Sequence, residues 1–360
     1  MKSRYWYLLV FIFPLSAIIG FMFAGMASFT TLFFFSMILP AAEFFCGEDY
    51  VKPYAQENES HTYYRFVLYG VVISQVILTF WGAYAASHSQ YFFEAIGYAL
   101  AVGINGGIAF CAAHELIHKN NHMDNWMGNI VLICTATGHA PMEHVLVHHG
   151  PFITGTSADH VHAPNGMGFY SYYLKSMVGL RTSAFAAEKK LMRRKGYSIF
   201  SWHNRLVMFN LCTFILALVL ATLWGMSAFL YFIGVVLVSS IVILGAAYIQ
   251  HYGLERFTLP DGSYEKFSAM HCWNSNYILT NYLLFQLPRH SIHHLRPGRD
   301  YEVSVDSPQN PQLPYGYFVC SLIIFIPGLW QKLMAQPVQQ NLELRHKAAN
   351  MHQTTGGISE

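Results

Sequence analysis

Nine histidines of this chain fall into four short clusters whose chemistry is that of metal binding. The clusters are His114 and His118; His144, His148 and His149; His251; and His290, His293 and His294. Neutral imidazole offers a lone pair near pH 7 and is the commonest transition-metal ligand in proteins. Because a zinc ion takes only about four ligands, nine imidazoles predict two metal ions with coordination positions left open for catalysis.

The spacing inside each cluster predicts how its members share a helix face. The first two clusters each contain a pair at i and i+4, which lie on one side of an α-helix. His149 is expected about 100° further round the second helix. The last cluster has histidines at i, i+3 and i+4, a pattern that predicts three ligands on one face. The first cluster also satisfies the HExxH pattern of zinc proteases, but that class would leave seven histidines without a role.

The donor set indicates which metal the centre would hold. Imidazole ligands disfavour Mg²⁺ and Ca²⁺, which prefer oxygen, and allow iron, zinc or copper. Iron with open positions suits O₂ activation best, so we expect two iron ions as cofactor and O₂ as co-substrate. Polar side chains that could hydrogen-bond the ligands and orient them are Glu115, Glu143, Asp159, His139 and His271.

The segments that position these clusters are predicted to be membrane helices. The chain has 360 residues, of which 54% are apolar or aromatic and only 11% charged, whereas soluble domains carry about 25% charged residues. A spanning helix needs about 20 apolar residues. Six stretches qualify, so we predict an all-α integral membrane protein with six transmembrane helices, over 6–24, 27–45, 66–87, 92–113, 207–224 and 228–250. A shorter stretch, 317–333, is expected to be interfacial or re-entrant.

Charge predicts the orientation of this single domain, 1–360. None of the three short loops that would face outward contains Lys or Arg, so the positive-inside rule places both termini and the histidine-rich metal site in the cytoplasm. The polar segments 114–206 and 251–334 are then the cytoplasmic catalytic segments, and 335–360 is expected to be a flexible tail. The six cysteines are scattered and are expected to be reduced.

Five stretches of the sequence resemble those of the membrane-bound non-haem di-iron alkane hydroxylases (alkane 1-monooxygenases), related to xylene monooxygenase and the fatty acid desaturases. They are HELIHK (114–119), EHVLVHH (143–149), QHYGL (250–254), HCWNSN (271–276) and RHSIHH (289–294). Gln250 stands where the alkane branch has Glu, as in the xylene branch. The resemblance implies six helices in a bacterial inner membrane, two irons held by the nine histidines, and electrons from rubredoxin or a similar ferredoxin-type donor with its NAD(P)H-dependent reductase.

The resemblance also implies a reaction, the hydroxylation of a terminal methyl group of a medium-chain n-alkane to a primary alcohol. The alternatives are methyl hydroxylation of alkyl-aromatics such as toluene or xylene, and a fatty acid desaturase or hydroxylase. Phe35 is expected in the wall of a tunnel that receives the apolar hydrocarbon from the membrane lipid. Lys189, Lys190, Arg193 and Arg194 could dock the electron donor or anchor to lipid headgroups. No feature points to nucleic acid.

Two further classes are disfavoured by where the histidines lie. A bis-histidine cytochrome holds its haem between histidines inside the spans, whereas these histidines sit at the ends of the predicted spans. A metal transporter places ligands near the bilayer midplane, where this chain has none.

Overall fold

The structure, a computed structural model, describes residues 4–49, 61–150 and 153–355. In these ranges it contains helices and isolated bridges but no β-strand, so the all-α prediction is confirmed. The helices are α1 (Arg4–Phe23), α2 (Gly25–Cys46), α3 (Thr62–Ser87), α4 (Phe92–Ile117), α5 (His122–Cys134), α6 (Ala140–Glu143, continued by a π-helical turn over His144–His148), α7 (Phe169–Arg194), α8 (Arg205–His251), α9 (Ile278–Leu283), α10 (His290–Leu295), α11 (Tyr317–Ile323) and α12 (Pro327–Thr355).

Among the described residues, five helices are long and apolar enough to cross a membrane: α1, α2, α3, α4 and α8. The last two predicted spans, 207–224 and 228–250, both lie within α8, which is interrupted at Gly225. Gly225 has φ 77°, a conformation open to glycine and costly for other residues. A straight helix would separate Leu206 from His251 by about 70 Å. Instead Leu206 packs beside Met142 and the His251 ring lies 4.8 Å from that of His148, so the chain reverses at Gly225.

The tight turns between the long helices meet at the end of the bundle opposite the histidines. The amide of Gly25 donates to Glu94 at 2.8 Å, which joins the α1–α2 turn to the start of α4. The rings of Tyr84 and Trp224 lie 6.1 Å apart, which brings the Gly225 turn to the end of α3. All the histidine clusters therefore emerge at one end of the bundle.

Helix α4 forms the centre of the bundle, and glycines let its neighbours approach closely. A Cβ atom added to Gly103 or Gly107 would overlap Val238 or Val242 of α8. This packing fixes the axial position of α4 relative to the second half of α8. Because α4 ends in the first histidine cluster and α8 ends at His251, the same contact sets the distance between those ligands.

The C-terminal segment is helical through most of its described length. Residues 317–333 form α11 and the start of α12, and their interfacial or re-entrant position stays a prediction. Residues 335–355, expected to be a flexible tail, continue α12 as a helix, and 356–360 lie outside the described residues. Val338, Asn341 and Arg345 are buried, and the Asn341 amide donates to the Met270 carbonyl at 3.2 Å. These contacts are distant in sequence, so local composition did not reveal them.

Candidate metal centre

The nine predicted ligands converge at one end of the bundle in two adjacent groups. The first group contains His114, His118, His144 and His293, and the second contains His148, His251, His290 and His294; within each, one ring nitrogen per residue lies within 4.8 Å of the others. His149 completes the first group, because its Nε2 lies 3.0 Å from that of His144 and 3.1 Å from that of His293.

The separations between ring nitrogens match those of ligands on a shared ion. The Nε2 atoms of His114 and His293 are 2.7 Å apart, and those of His251 and His290 are 2.9 Å apart. Two ligands at right angles on bonds of about 2.1 Å lie about 3.0 Å apart. The Nε2 of His118 is buried without a hydrogen-bond partner, which would be costly unless a cation accepted its lone pair. The donor set therefore fits two transition-metal ions.

The protonation of the ligands favours metal binding. Burial, with a smaller effect of Lys119, lowers the pKa of His118 to about 4. Burial and the neighbouring imidazoles hold the pKa of His144, His293 and His294 well below the ordinary value. These rings are therefore neutral near pH 7, as metal ligation requires.

A π-helical turn divides the second cluster between the two groups. The prediction that His144 and His148 act from one face is wrong for this turn, because the His149 amide donates to the His144 carbonyl at 3.0 Å, an i to i+5 bond. The wider turn brings His149 beside His144 and sends His148 to the second group, where its Nε2 lies 3.2 Å from that of His294. A single π-turn is frequent at functional sites.

The last cluster also contributes to both groups. It was predicted to present three ligands on one face, but α10 lies between the groups, and the prediction of one tridentate face is corrected. His293 belongs to the first group, while His290 and His294 belong to the second. The shared helix fixes the spacing between the two groups.

Asp159 lies where a residue that orients a ligand should be. The Nδ1 of His148 lies 3.0 and 3.1 Å from its carboxylate oxygens, which also accept from the amides of Gly155 at 3.0 Å and Val161 at 2.9 Å. Burial opposes ionisation, but His148 and the amides hold the pKa of Asp159 well below its ordinary value. The carboxylate thus holds the Nδ1 proton of His148 and leaves Nε2 free for a metal ion.

The other predicted polar neighbours are less closely engaged. Glu115 Oε1 lies 4.0 Å from His293 Nδ1. Glu143 accepts from the Ser183 hydroxyl at 3.4 Å, and burial raises its pKa to about 7. His139 is buried near Arg181, and burial lowers its pKa to about 3. Both Glu143 and His139 face a cavity beside the ligands.

The described hydrogen bonds of His271 are with the loop before it. Its Nδ1 accepts from the Ser268 amide at 2.9 Å, and its Nε2 lies 3.1 Å from Glu265, so its described contacts are those of a loop support. The neighbouring Cys272 is closer to the centre, because its Sγ lies 3.8 Å from the Nδ1 of His251. The scattered cysteines gave no indication of a place beside the ligands, and the adjacency of Cys272 to His271 was the one signal available in the sequence.

Asn274, Asn276 and Arg289 stabilise the last cluster, although they were not among the residues predicted from the sequence. Asn274 Oδ1 accepts from the amide and hydroxyl of Ser291 at 2.9 and 2.8 Å. Arg289 is fully buried and donates to Asn276 Oδ1 at 3.0 Å and to the Asp49 carbonyl at 2.7 Å. Their presence in HCWNSN and RHSIHH was the available signal, since a buried arginine needs several acceptors.

A third group with metal-ligand spacing lies apart from the nine histidines. His61 Nδ1 is 2.6 Å from Glu302 and 3.5 Å from Asp300, and Lys119 Nζ is 2.8 Å from Asp300. The hydrogen bond to Glu302 raises the pKa of His61 against the effect of burial. Because lysine and histidine already neutralise these carboxylates, the group is an ion-pair network that ties α3 to the segment after α10.

A largely apolar cavity of about 1190 Å³, measured out to its open mouth, begins at the ligands. Its wall includes His114 and His144 of the first group and His251 of the second, and it extends to Phe35. The Phe35 ring meets that of Phe318 edge-on at 5.7 Å. Phe35 lies in a π-helical turn of α2, Phe34–Ile38, so α2 departs from regular α-helical geometry at the cavity wall.

The predicted docking residues lie at the C-terminal end of α7. Lys190, Arg193 and Arg194 are exposed and Lys189 is partly exposed. The adjoining corner carries two exposed aromatic side chains, Phe200 at 82% and Trp202 at 75%.

Comparison with known proteins relates the chain to membrane oxidoreductases. The fatty acid desaturase family model matches residues 89–303. The alkane 1-monooxygenase 2 of Alcanivorax borkumensis is 30% identical over 94% of this chain and 90% of its own length, and an alkane 1-monooxygenase of Pseudomonas putida is 30% identical over 92% and 85%. The xylene/toluene monooxygenase hydroxylase component of Pseudomonas putida is 26% identical over 65% and 61%. The chain therefore belongs to the alkane 1-monooxygenases of the fatty acid desaturase family, and it is an oxidoreductase.

Proposed function

We propose that the protein is an O₂-dependent monooxygenase that hydroxylates the terminal methyl group of a medium-chain n-alkane. The reaction consumes alkane, O₂, two electrons and two protons, and yields a primary alcohol and water. One observation carries the proposal: two adjacent groups of buried and half-buried imidazoles lie beside an apolar cavity. Hydrocarbon offers no group for acid–base catalysis, so a redox-active centre beside such a cavity suits it.

The two groups would each hold one iron ion. The first would use His114, His118, His144, His149 and His293, and the second His148, His251, His290 and His294. When bound, the irons supply the O₂ activation and oxygen insertion that side chains cannot perform. Asp159 would orient His148, and α10 would fix the spacing between the two groups. The apolar cavity wall would exclude water from the substrate.

The substrate would lie along the cavity, and its shape sets the range of chain lengths. Phe35 would form the wall that limits the length of chain accepted. Methyl hydroxylation of an alkyl-aromatic compound is the second candidate. Gln250, the residue that resembles the xylene branch, lines the cavity next to His251 and is buried with its Nε2 unpartnered.

The electrons would come from a rubredoxin or similar ferredoxin-type protein and its NAD(P)H-dependent reductase. The exposed positive charges of Lys189, Lys190, Arg193 and Arg194 suit an acidic donor. Phe200 and Trp202 beside them favour the alternative, contact with lipid headgroups, since Trp and basic side chains concentrate at the membrane interface. If Lys190→Glu removes the salt dependence of reduction, the charges dock the donor. The protein would lie in the bacterial inner membrane with its termini and metal centre in the cytoplasm.

The experiment uses iron-loaded protein in nanodiscs with reductant and O₂. Octane, toluene and a fatty acyl substrate are offered separately, and the products are identified by mass spectrometry. 1-Octanol as the main product supports the proposal, and benzyl alcohol supports the second candidate. A new double bond in the acyl chain, or no oxygen-18 from ¹⁸O₂ in any product, would refute both.

A further inference from the structure

Part of the cavity wall is a seam between α7 and the second half of α8. Met177, Leu180 and Arg181 of α7 line it on one side, and Ser240 and Ile243 of α8 line it on the other. Met177, Arg181 and Ile243 are partly exposed, whereas Leu284 and Leu287, which also line the cavity, are buried. The seam is therefore a thin part of the cavity wall.

The surface around this seam is apolar and without a protein partner in the described part of the chain. Leu174 and Val178, one turn apart on α7, are 68% and 65% exposed, and Leu237 of α8 is 49% exposed. In a membrane protein such side chains face acyl chains. Arg181 follows on the same side of α7, and its Nη1 donates to the Met177 carbonyl at 2.8 Å. The guanidinium of Arg181 is thus held at the seam, and because an arginine at the edge of an apolar surface is typical of the membrane interface, we expect the seam to face lipid close to the interface.

One hydrogen bond crosses the seam. The Tyr173 hydroxyl lies 2.7 Å from Ser240 Oγ, and Ser240 Oγ donates to the Leu237 carbonyl, so Tyr173 is the donor. Among the described residues no other side-chain hydrogen bond links α7 to the second half of α8. The bond joins the two walls and can break without disturbing the backbone of either helix.

We propose that the hydrocarbon passes from the bilayer into the cavity through this seam, and that the Tyr173–Ser240 bond is the clasp that closes it. The inference rests on the proposed function for the identity of the substrate. It assigns α7, which supplies no metal ligand, the role of a movable side wall. The competing route is the end of the cavity at Phe35 and Ser321, both partly exposed.

The test measures access without turnover. Metal-free protein in nanodiscs is exposed to an alkyl diazirine, photolysed after timed intervals, and mapped by peptide mass spectrometry. Met177→Trp plugs the seam, Val178→Trp is the matched control that points into lipid, and Ser321→Trp plugs the competing route. We expect Met177→Trp to slow labelling of inner-wall residues such as Cys111 and Leu284 about tenfold, equivalent to about 1.4 kcal/mol of barrier, and the other two variants to leave it unchanged.

A second variant tests the Tyr173–Ser240 hydrogen bond. Tyr173→Phe keeps the ring and removes the hydroxyl, so labelling of the inner wall should be faster by about fivefold, the factor for one ordinary hydrogen bond. An unchanged labelling rate in Tyr173→Phe overturns the clasp. Loss of inner labelling in Ser321→Trp but not in Met177→Trp overturns the seam. Because neither measurement needs iron or O₂, failure of the proposed reaction would leave both results interpretable, and thermal unfolding of each variant identifies one that is misfolded.

Discussion

Replacing Asp159 with asparagine should weaken one metal site and spare the other. The carboxylate lies 3.0 and 3.1 Å from Nδ1 of His148, a ligand of the second group only. Asparagine keeps the shape of the side chain but removes the charge that holds the Nδ1 proton. A hydrogen bond to a charged group contributes about 1.5–3 kcal/mol, which corresponds to about a 10- to 100-fold loss of affinity, as found for residues that support metal ligands.

The assay is an anaerobic Fe(II) titration of the metal-free protein with the bound iron counted by mass spectrometry. The wild-type chain should bind two irons, and Asp159→Asn should bind the first with unchanged affinity and the second about 10- to 100-fold more weakly. Asp261→Asn is the matched control, because Asp261 is exposed in a loop and contacts only Ser263. Two irons bound to Asp159→Asn with wild-type affinity would refute the role of the carboxylate.

Three further perturbations test the cavity, the bundle and the ion-pair network. Phe35→Ala should shift the products of a mixed-alkane competition toward longer alcohols, and an unchanged distribution contradicts the assignment of the cavity wall. Gly107→Ala, whose new methyl would overlap Val242, should lower the free energy of unfolding by about 1–3 kcal/mol, while Gly328→Ala, with nothing within 4 Å of its Cβ, should not. The pKa of His61 is raised in the folded protein, so the stability that the His61 ion pairs contribute is fully present below the ordinary histidine pKa of about 6.5 and is lost as pH rises through the folded pKa. His61→Gln should therefore lower the melting temperature at acidic but not at alkaline pH. An equal decrease at both pH values would contradict this.

The long apolar helices and the convergence of the nine histidines could be predicted because their signals are local. Long apolar runs define the spans, and glycine at position 225 between two such runs marks the reversal of α8. His114 and His118 lie on an ordinary α-helix, so their i and i+4 spacing brought them together as expected. The composition of the donor set was equally direct, since nine clustered histidines have few other uses.

The division of the ligands between two groups could not be predicted, because it depends on geometry that leaves no mark in composition. Nothing in the sequence His144–His149 distinguishes a π-turn from an α-turn. The position of α10 between the groups depends on Arg289 and its contacts with Asn276 and Asp49, far away in the chain. The helical state of α12 likewise depends on burial of Asn341 and Arg345 against distant segments.

The π-turn at His144–His148 makes the division of the histidines between two groups depend on one additional residue in this helical turn. Deleting a single residue among Val145, Leu146 and Val147 would restore the regular repeat of 3.6 residues per turn and move His149 to the fourth position after His144. His148 and His149 would then rotate about the helix axis relative to His144, and the second group would lose the imidazole of His148. The arrangement of the histidines in two groups therefore depends on the length of this helical segment as well as on its histidines, and a one-residue deletion there would disturb one group without altering any histidine.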